Sequence, residues 1–128
     1  MRRSCRERGS AAVEFALLLP ILLLVLLALV QVGVLARDQL VLTQASRAGA
    51  REAAVDGSVE AVDEAVRSAA TGLDAGRVAI DVAWSGERGD PVTVSLVYEV
   101  PVASPLAGWL LPETVTLRSS ATMRQEFA

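Results

Sequence analysis

The stretch that decides the fold runs from Gly9 to Ala36 and reads GSAAVEFALLLPILLLVLLALVQVGVLA. No charged or amide side chain interrupts it between Phe15 and Val30. With its apolar flanks it reaches the roughly 20 residues that a helix needs to cross a bilayer. Pro20 cannot donate a backbone hydrogen bond, so we expect a kink or local unwinding of the helix there. The sequence therefore predicts one membrane-spanning helix over residues 10–36.

Glu14 is the single ionisable residue of this stretch, and it lies near the amino-terminal edge. A carboxylate at membrane depth costs about 2.5 to 3.5 kcal/mol even on permissive scales, so such groups usually pair or serve a function. Close to the headgroups the cost falls and the side chain can reach water. Glu14 is therefore either a functional group that needs a partner or a tolerated carboxylate at the membrane surface.

The leader, residues 1–9, ends at the first residue of this stretch and is basic, with four arginines and one glutamate. Positive charges next to a span favour the cytoplasmic side, so the amino terminus is predicted to be cytoplasmic and everything after Ala36 extracytoplasmic. A cleavable secretory signal is the competing interpretation. Its apolar region usually has only 7 to 15 residues and ends at a small-residue cleavage site, whereas the apolar run is longer here.

The basic leader followed by Gly9, Ser10 and Glu14 resembles the class III signal of type IV pilin-like proteins. In that family a prepilin peptidase cuts after the glycine on the cytoplasmic side and the apolar segment is kept. The resemblance therefore implies cleavage between Gly9 and Ser10, which would leave Glu14 as the fifth residue of the mature chain.

Further residues are similar to the TadE-like pseudopilins of tight-adherence (Tad/Flp) pili: Glu14-Phe15, then Pro20, then RAGAR at residues 47–51. This resemblance covers roughly the first 50 residues. It implies a minor subunit that assembles a pilus or a related secretion apparatus, with Glu14 and Phe15 in the assembly segment. The partners it implies are the prepilin peptidase, other pilin and pseudopilin subunits, an inner-membrane assembly platform with its ATPase, and the membrane.

Two alternatives keep the membrane helix and change the role. One is a minor pseudopilin of type II secretion or competence. Phe15 and the pair Arg47 and Arg51 distinguish the chain from that class only weakly. The other is a single-pass anchored extracytoplasmic domain that binds a partner and is never cut. The mass of the mature protein distinguishes a processed chain from this anchored domain.

Beyond the membrane the helix is predicted to continue to Val55, because no strong breaker precedes Asp56-Gly57. Arg47 and Arg51 lie one turn apart and could form ion pairs with acidic partners, although a solvated arginine face is the alternative. The residues predicted to face the core are Val41, Ala45, Ala48 and Val55.

The remaining residues predict a short second helix and a three-stranded antiparallel sheet. Ser58 can cap the helix and Gly72 ends it, and its core face is predicted to consist of Val59, Val62, Val66 and Ala69. Apolar and polar residues then alternate in three segments, as in half-buried strands, at 78–84, 92–100 and 114–124. Val115, Leu117 and Met123 are predicted to face inward on the third strand. The fold class is α+β, with residues 37–128 forming a small extracytoplasmic domain.

An apolar loop, PVASPLAGWLLP at residues 101–112, separates the last two strands. Its three prolines exclude a regular strand. Trp109, Leu110 and Leu111 either cap the open end of the sheet or form an exposed contact with another subunit or with the membrane interface.

Charge and composition exclude several functional classes. The net charge is −3, and removal of residues 1–9 would take away four arginines and one glutamate and leave −6, which argues against a nucleic-acid partner. The chain has no histidine and its single cysteine, Cys5, lies in the leader, so the usual zinc ligands and the usual general base are lacking in the mature chain. We therefore expect no enzyme activity, no metal, no cofactor and no small-molecule substrate.

Overall fold

The computed structural model describes the backbone of residues 4–102 and 112–126, and the side chains of residues 9–102 and 112–126. The architecture is α+β, as the sequence predicts. The elements are helix α1 (Ser4–Val55), helix α2 (Val59–Ala69), a 3-10 turn (Ala75–Arg77) and the strands β1 (Val78–Trp84), β2 (Pro91–Pro101) and β3 (Thr114–Arg124). The predicted loop residues Trp109, Leu110 and Leu111 lie outside the described residues.

The chain divides into two units, which meet between Leu35 and Ala36 in the sequence. The first unit contains the apolar part of α1, where every large apolar side chain from Val13 to Val34 is between 39% and 70% exposed. A helix that is apolar on all sides needs either a protein core or a bilayer around it. By length and composition α1 can cross a membrane, so this surface suits contact with lipid.

The second unit, residues 36–128, contains the rest of α1, α2 and the sheet. The sheet order is β1-β2-β3 with both pairs antiparallel, and Val82 lies opposite Val94 in the register of the first pair. The central strand β2 buries alternate residues, as predicted: Val92, Val94, Leu96, Tyr98 and Val100. The opposite face carries polar pairs such as the hydroxyls of Thr93 and Thr122, whose oxygens are 2.8 Å apart. One face of the sheet therefore forms the core with the helices.

The turn between the helices follows from local chemistry at residues 56–58. Gly57 has φ +69°, a left-handed conformation that glycine adopts without steric cost. Ser58 is extended, and its side-chain oxygen accepts a hydrogen bond from the Ala61 amide at 3.3 Å, so it caps the amino terminus of α2. The predicted end of α1 and start of α2 are thus confirmed.

The predicted core face of α1 is wrong in its detail. Val55 is 57% exposed, and Val41 and Ala48 are only half-buried. The buried positions are instead Asp38, Leu42, Ala45, Ser46, Gly49, Ala50, Ala53 and Ala54. Two of these are polar, and small residues occupy both faces of the helix, so side-chain polarity did not reveal which face is buried.

Two other inward predictions are wrong at the edges of the core. Val59 is 55% exposed because it lies in the first turn of α2, before the part of the helix that packs at Val62 and Val66. Met123 is 36% exposed near the end of β3, although it shares the phase of the half-buried Val115 and Leu117. In both elements the predicted repeat of inward-facing residues agrees with the structure, but the packed core ends before Val59 and Met123.

Candidate functional site

The candidate processing position, Gly9, lies within α1 and is exposed. Apart from its chain neighbours and the backbone of its own helix, no heavy atom of the described residues lies within 4 Å of the place where a Cβ would be. A glycine inside a helix costs about 1 kcal/mol relative to alanine. The described residues offer no packing reason for this glycine, and the same holds for Gly33, so a processing role for Gly9 stays a prediction.

Ser10 and Glu14 lie one helical turn apart on α1, and the Ser10 hydroxyl donates a 3.4 Å hydrogen bond to Oε1 of Glu14. At this distance the hydrogen bond is long, and both residues are exposed. It therefore adds little stability. The hydrogen bond shows that the carboxylate of Glu14 can turn toward residue 10 of the same chain.

Phe15 is 62% exposed beside Glu14. Helix α1 runs through Pro20 as continuous α-helix, so the predicted local unwinding does not occur there. Transmembrane helices tolerate proline because neighbouring groups satisfy the freed carbonyl. A bend at Pro20 stays a prediction.

Gly49, at the centre of the RAGAR segment, is the residue that sequence reasoning left without a role. A Cβ built on it would lie 2.5 Å from Cγ2 of Val66, 3.3 Å from Cγ1 of Val94 and 3.6 Å from Cγ1 of Val62. These side chains belong to α2 and β2 and are completely buried. Gly49 is therefore the point where α1 meets both α2 and the sheet, and the absence of a side chain permits the close approach.

A buried hydroxyl joins α1 to β3 next to this junction. The hydroxyl of Ser46, which is completely buried, donates to the Thr43 carbonyl at 2.9 Å. Its oxygen also lies 2.9 Å from the Ser119 hydroxyl, which then acts as the donor. A buried hydroxyl without partners would be costly, so this pair explains why a serine can occupy a core position.

Arg47 and Arg51 project from the exposed side of the same segment. Three ion pairs occur among the described residues, Arg37–Asp38 at 3.6 Å, Arg67–Asp63 at 2.6 Å and Arg77–Asp74 at 3.3 Å, and they include neither arginine. The hydrogen bond and charge of Asp63 raise the pKa of Arg67 above its ordinary value. Ion pairing by Arg47 or Arg51 stays a prediction, and it would need a partner outside the described residues.

A cluster of three or more histidine, cysteine, aspartate or glutamate side chains that could hold a metal ion is not found in residues 9–102 and 112–126. The acidic residues of α2, Glu60, Asp63 and Glu64, lie in its first two turns, and Asp63 pairs with Arg67. The site residues predicted within the described part of the chain, Gly9, Glu14, Arg47 and Arg51 among them, lie on α1.

Comparison with known proteins agrees with this emphasis on α1. The family model described as TadE-like protein matches residues 9–51, which is well under half of the chain. No curated protein and no solved structure matches. TadE-like proteins are structural pilus components rather than enzymes, and the match supports a pilin-like role associated with a Tad pilus. The resemblance predicted from the sequence is therefore confirmed: residues 9–51 form a TadE-like segment, on a helix long and apolar enough to cross a membrane.

Proposed function

We propose that this protein is a minor pilin-like subunit that assembles into a Tad/Flp-type pilus or related secretion apparatus after a prepilin peptidase removes residues 1–9. The observation that carries the proposal is the TadE-like match over residues 9–51, which includes both Gly9 and Glu14. The role is structural, with the membrane helix as the assembly element and the second unit on the extracytoplasmic side.

Processing after Gly9 is supported by the setting of this residue. Gly9 destabilises its helix without any packing contact in return, and arginines precede it on the side predicted to be cytoplasmic. A peptidase that accepts only a residue without a side chain would explain why glycine is present here. After cleavage the first residue would be Ser10.

Assembly through Glu14 follows from the geometry of one helical turn. Cleavage would create a positively charged amine on Ser10, and the Glu14 carboxylate already reaches toward residue 10 within the same chain. Between neighbouring chains the same two charges can compensate each other in a medium where an unpaired carboxylate is costly. That compensation would favour docking of neighbouring helices in one axial register.

The implied partners are other pilin and pseudopilin subunits, the inner-membrane platform and the peptidase. The second unit adds to the helix a compact core in which Leu96, Val62 and Leu42 are completely buried. An outward-facing unit of this kind would decorate the fibre or guide its assembly, while the helix packs with the helices of other subunits.

Intact mass of the protein purified from membranes tests the processing step. In a host with an active prepilin peptidase the wild-type chain should begin at Ser10, and Gly9→Val should accumulate as the full-length precursor. The matched control is Gly33→Val, because Gly33 is also an exposed glycine of α1 whose Cβ would meet no described atom beyond the local helix backbone.

The control should be processed as well as wild type. Wild-type protein that keeps residues 1–9 would contradict the proposal and favour an anchored binding domain that is never cut. Normal cutting of Gly9→Val would show that Gly9 is not the residue the peptidase requires.

A further inference from the structure

A groove of about 360 Å³ opens on the second unit between the end of α1 and the end of β3. It is lined by Arg51, Ala54, Val55, Met123, Arg124 and Glu126. Backbone hydrogen bonds fix its walls: the Glu126 amide donates to the Ala54 carbonyl at 2.8 Å, and the Gln125 amide donates to the Asp90 carbonyl at 2.9 Å. The groove is therefore part of the folded unit.

The groove combines two guanidinium groups and one carboxylate, that of Glu126, with aliphatic surface, so its net charge is positive. Arg51 and Arg124 are exposed, and neither forms an ion pair with any of the described residues. Val55 is 57% exposed and Met123 is 36% exposed, so the apolar lining is open to solvent. Guanidinium groups bind carboxylates with directional hydrogen bonds. The groove therefore suits a segment that carries more than one carboxylate.

Helix α2 of the same protein has a segment of this chemistry on its exposed side. Glu60 and Glu64 are exposed one turn apart, about 5 to 6 Å between their Cβ atoms. Neither belongs to an ion pair of the described chain, whereas Asp63 is engaged by Arg67.

We propose that the groove of one copy binds the exposed side of α2 of a second copy, with Glu60 and Glu64 facing Arg51 and Arg124. Exposed ion pairs contribute at most about 1 kcal/mol each, so they select the docking arrangement more than they supply affinity. Confinement of both copies to one membrane raises their effective concentration and makes such a weak contact sufficient. The contact does not depend on cleavage after Gly9.

The composition of the chain allows a direct test, because all twelve basic residues are arginine and there is no lysine. Arg51→Lys and Arg124→Lys each keep the positive charge, and each variant then has one side-chain amine in the whole chain. A zero-length carbodiimide reagent then joins that amine to a carboxylate in contact with it. The full chain is reconstituted in lipid vesicles as a mixture of isotope-labelled and unlabelled protein, so that links between copies can be recognised by mass.

The expected result is a covalent dimer whose link joins position 51 or 124 of one copy to Glu60 or Glu64 of the other. The yield should be several-fold above that of Arg47→Lys, a matched control on the exposed side of α1 whose residue does not line the groove. Adding Glu60→Gln together with Glu64→Gln should remove the dimer. Circular dichroism should be unchanged in every variant, because all of these side chains are exposed.

Three results would overturn the proposal. One is a dimer yield no higher than that of Arg47→Lys. Another is a set of links confined to one chain, for example to Glu126. The third is a dimer that persists unchanged when both glutamates are replaced, because the contact would then involve another surface.

Discussion

Gly49→Ala should destabilise the second unit, although alanine is normally the better helix residue. The added Cβ would lie 2.5 Å from Cγ2 of Val66, about 1 Å inside the usual separation of roughly 3.5 to 4.0 Å between nonbonded carbon atoms. Val66, Val94 and Val62 are all completely buried around this point. They have little room to move away, so α1 or α2 has to shift.

The magnitude follows from two opposing effects. Overpacking of a filled core typically costs about 1 to 3 kcal/mol, and the replacement of a helical glycine by alanine returns about 0.8 to 1.0 kcal/mol. Because the neighbours are completely buried, the upper half of the overpacking range applies. We therefore expect a net decrease of about 1 to 2 kcal/mol in the free energy of unfolding.

Urea unfolding of the full chain in detergent micelles, followed by near-ultraviolet circular dichroism, measures this change. Gly76→Ala is the control, because its Cβ would meet only the exposed Asp74 at 3.4 Å, and it should change stability little. Val66→Ala removes the clashing methyl groups, so the double variant should be less destabilised than the sum of the single variants, by at least about 0.5 kcal/mol. The close approach of α1 to α2 and β2 at Gly49 would be refuted if Gly49→Ala were as stable as wild type and the two substitutions had additive effects.

Two further predictions concern the second unit alone. A fragment of residues 37–128 should be soluble and should give a mixed helix and strand circular dichroism spectrum, because its core is formed within the unit; a spectrum without strand signal would contradict its independence. Ser58→Ala should lower the free energy of unfolding of that fragment by about 1 kcal/mol through loss of the cap on α2. Ser68→Ala, on the exposed side of the same helix, should change it much less, and equal effects would show that the cap is unimportant.

The sheet could be predicted from the sequence because its residues alternate with strong contrast. On β2 the buried residues alternate with the polar Thr93, Ser95 and Glu99, with the half-buried Val97 as the exception, and one register satisfies the alternation. The turn at Gly57 and Ser58 was equally predictable, because the left-handed conformation and the cap each require few residue types.

The packing of α1 in the second unit could not be predicted in the same way. Its residues are mostly alanine with scattered polar side chains, and buried Ser46 depends on Ser119, far away in the sequence. The role of Gly49 depends on the positions of Val66 and Val94. The groove between the end of α1 and the end of β3 could not be predicted either. Arg51 and Arg124 are far apart in the sequence, and only the fold brings them to one surface.

Replacement of Glu14 tests the proposed assembly role most directly. Glu14→Leu makes α1 a better membrane segment, so the variant should insert, and we expect it to be cut after Gly9 like wild type. Glu14→Asp, which keeps the charge on a shorter side chain, is the matched control. The measurement is co-purification of the mature protein with the other pilus subunits, with the mass of each variant confirming that it was cut.

We expect mature Glu14→Leu to be present in the membrane but absent from the assembly, because its helix cannot compensate the amine of a neighbouring subunit. Glu14→Asp should retain part of the wild-type co-purification. If the leucine variant is cut and co-purifies as well as wild type, Glu14 is only a tolerated carboxylate at the membrane surface, and the pilin-like assembly mechanism is contradicted.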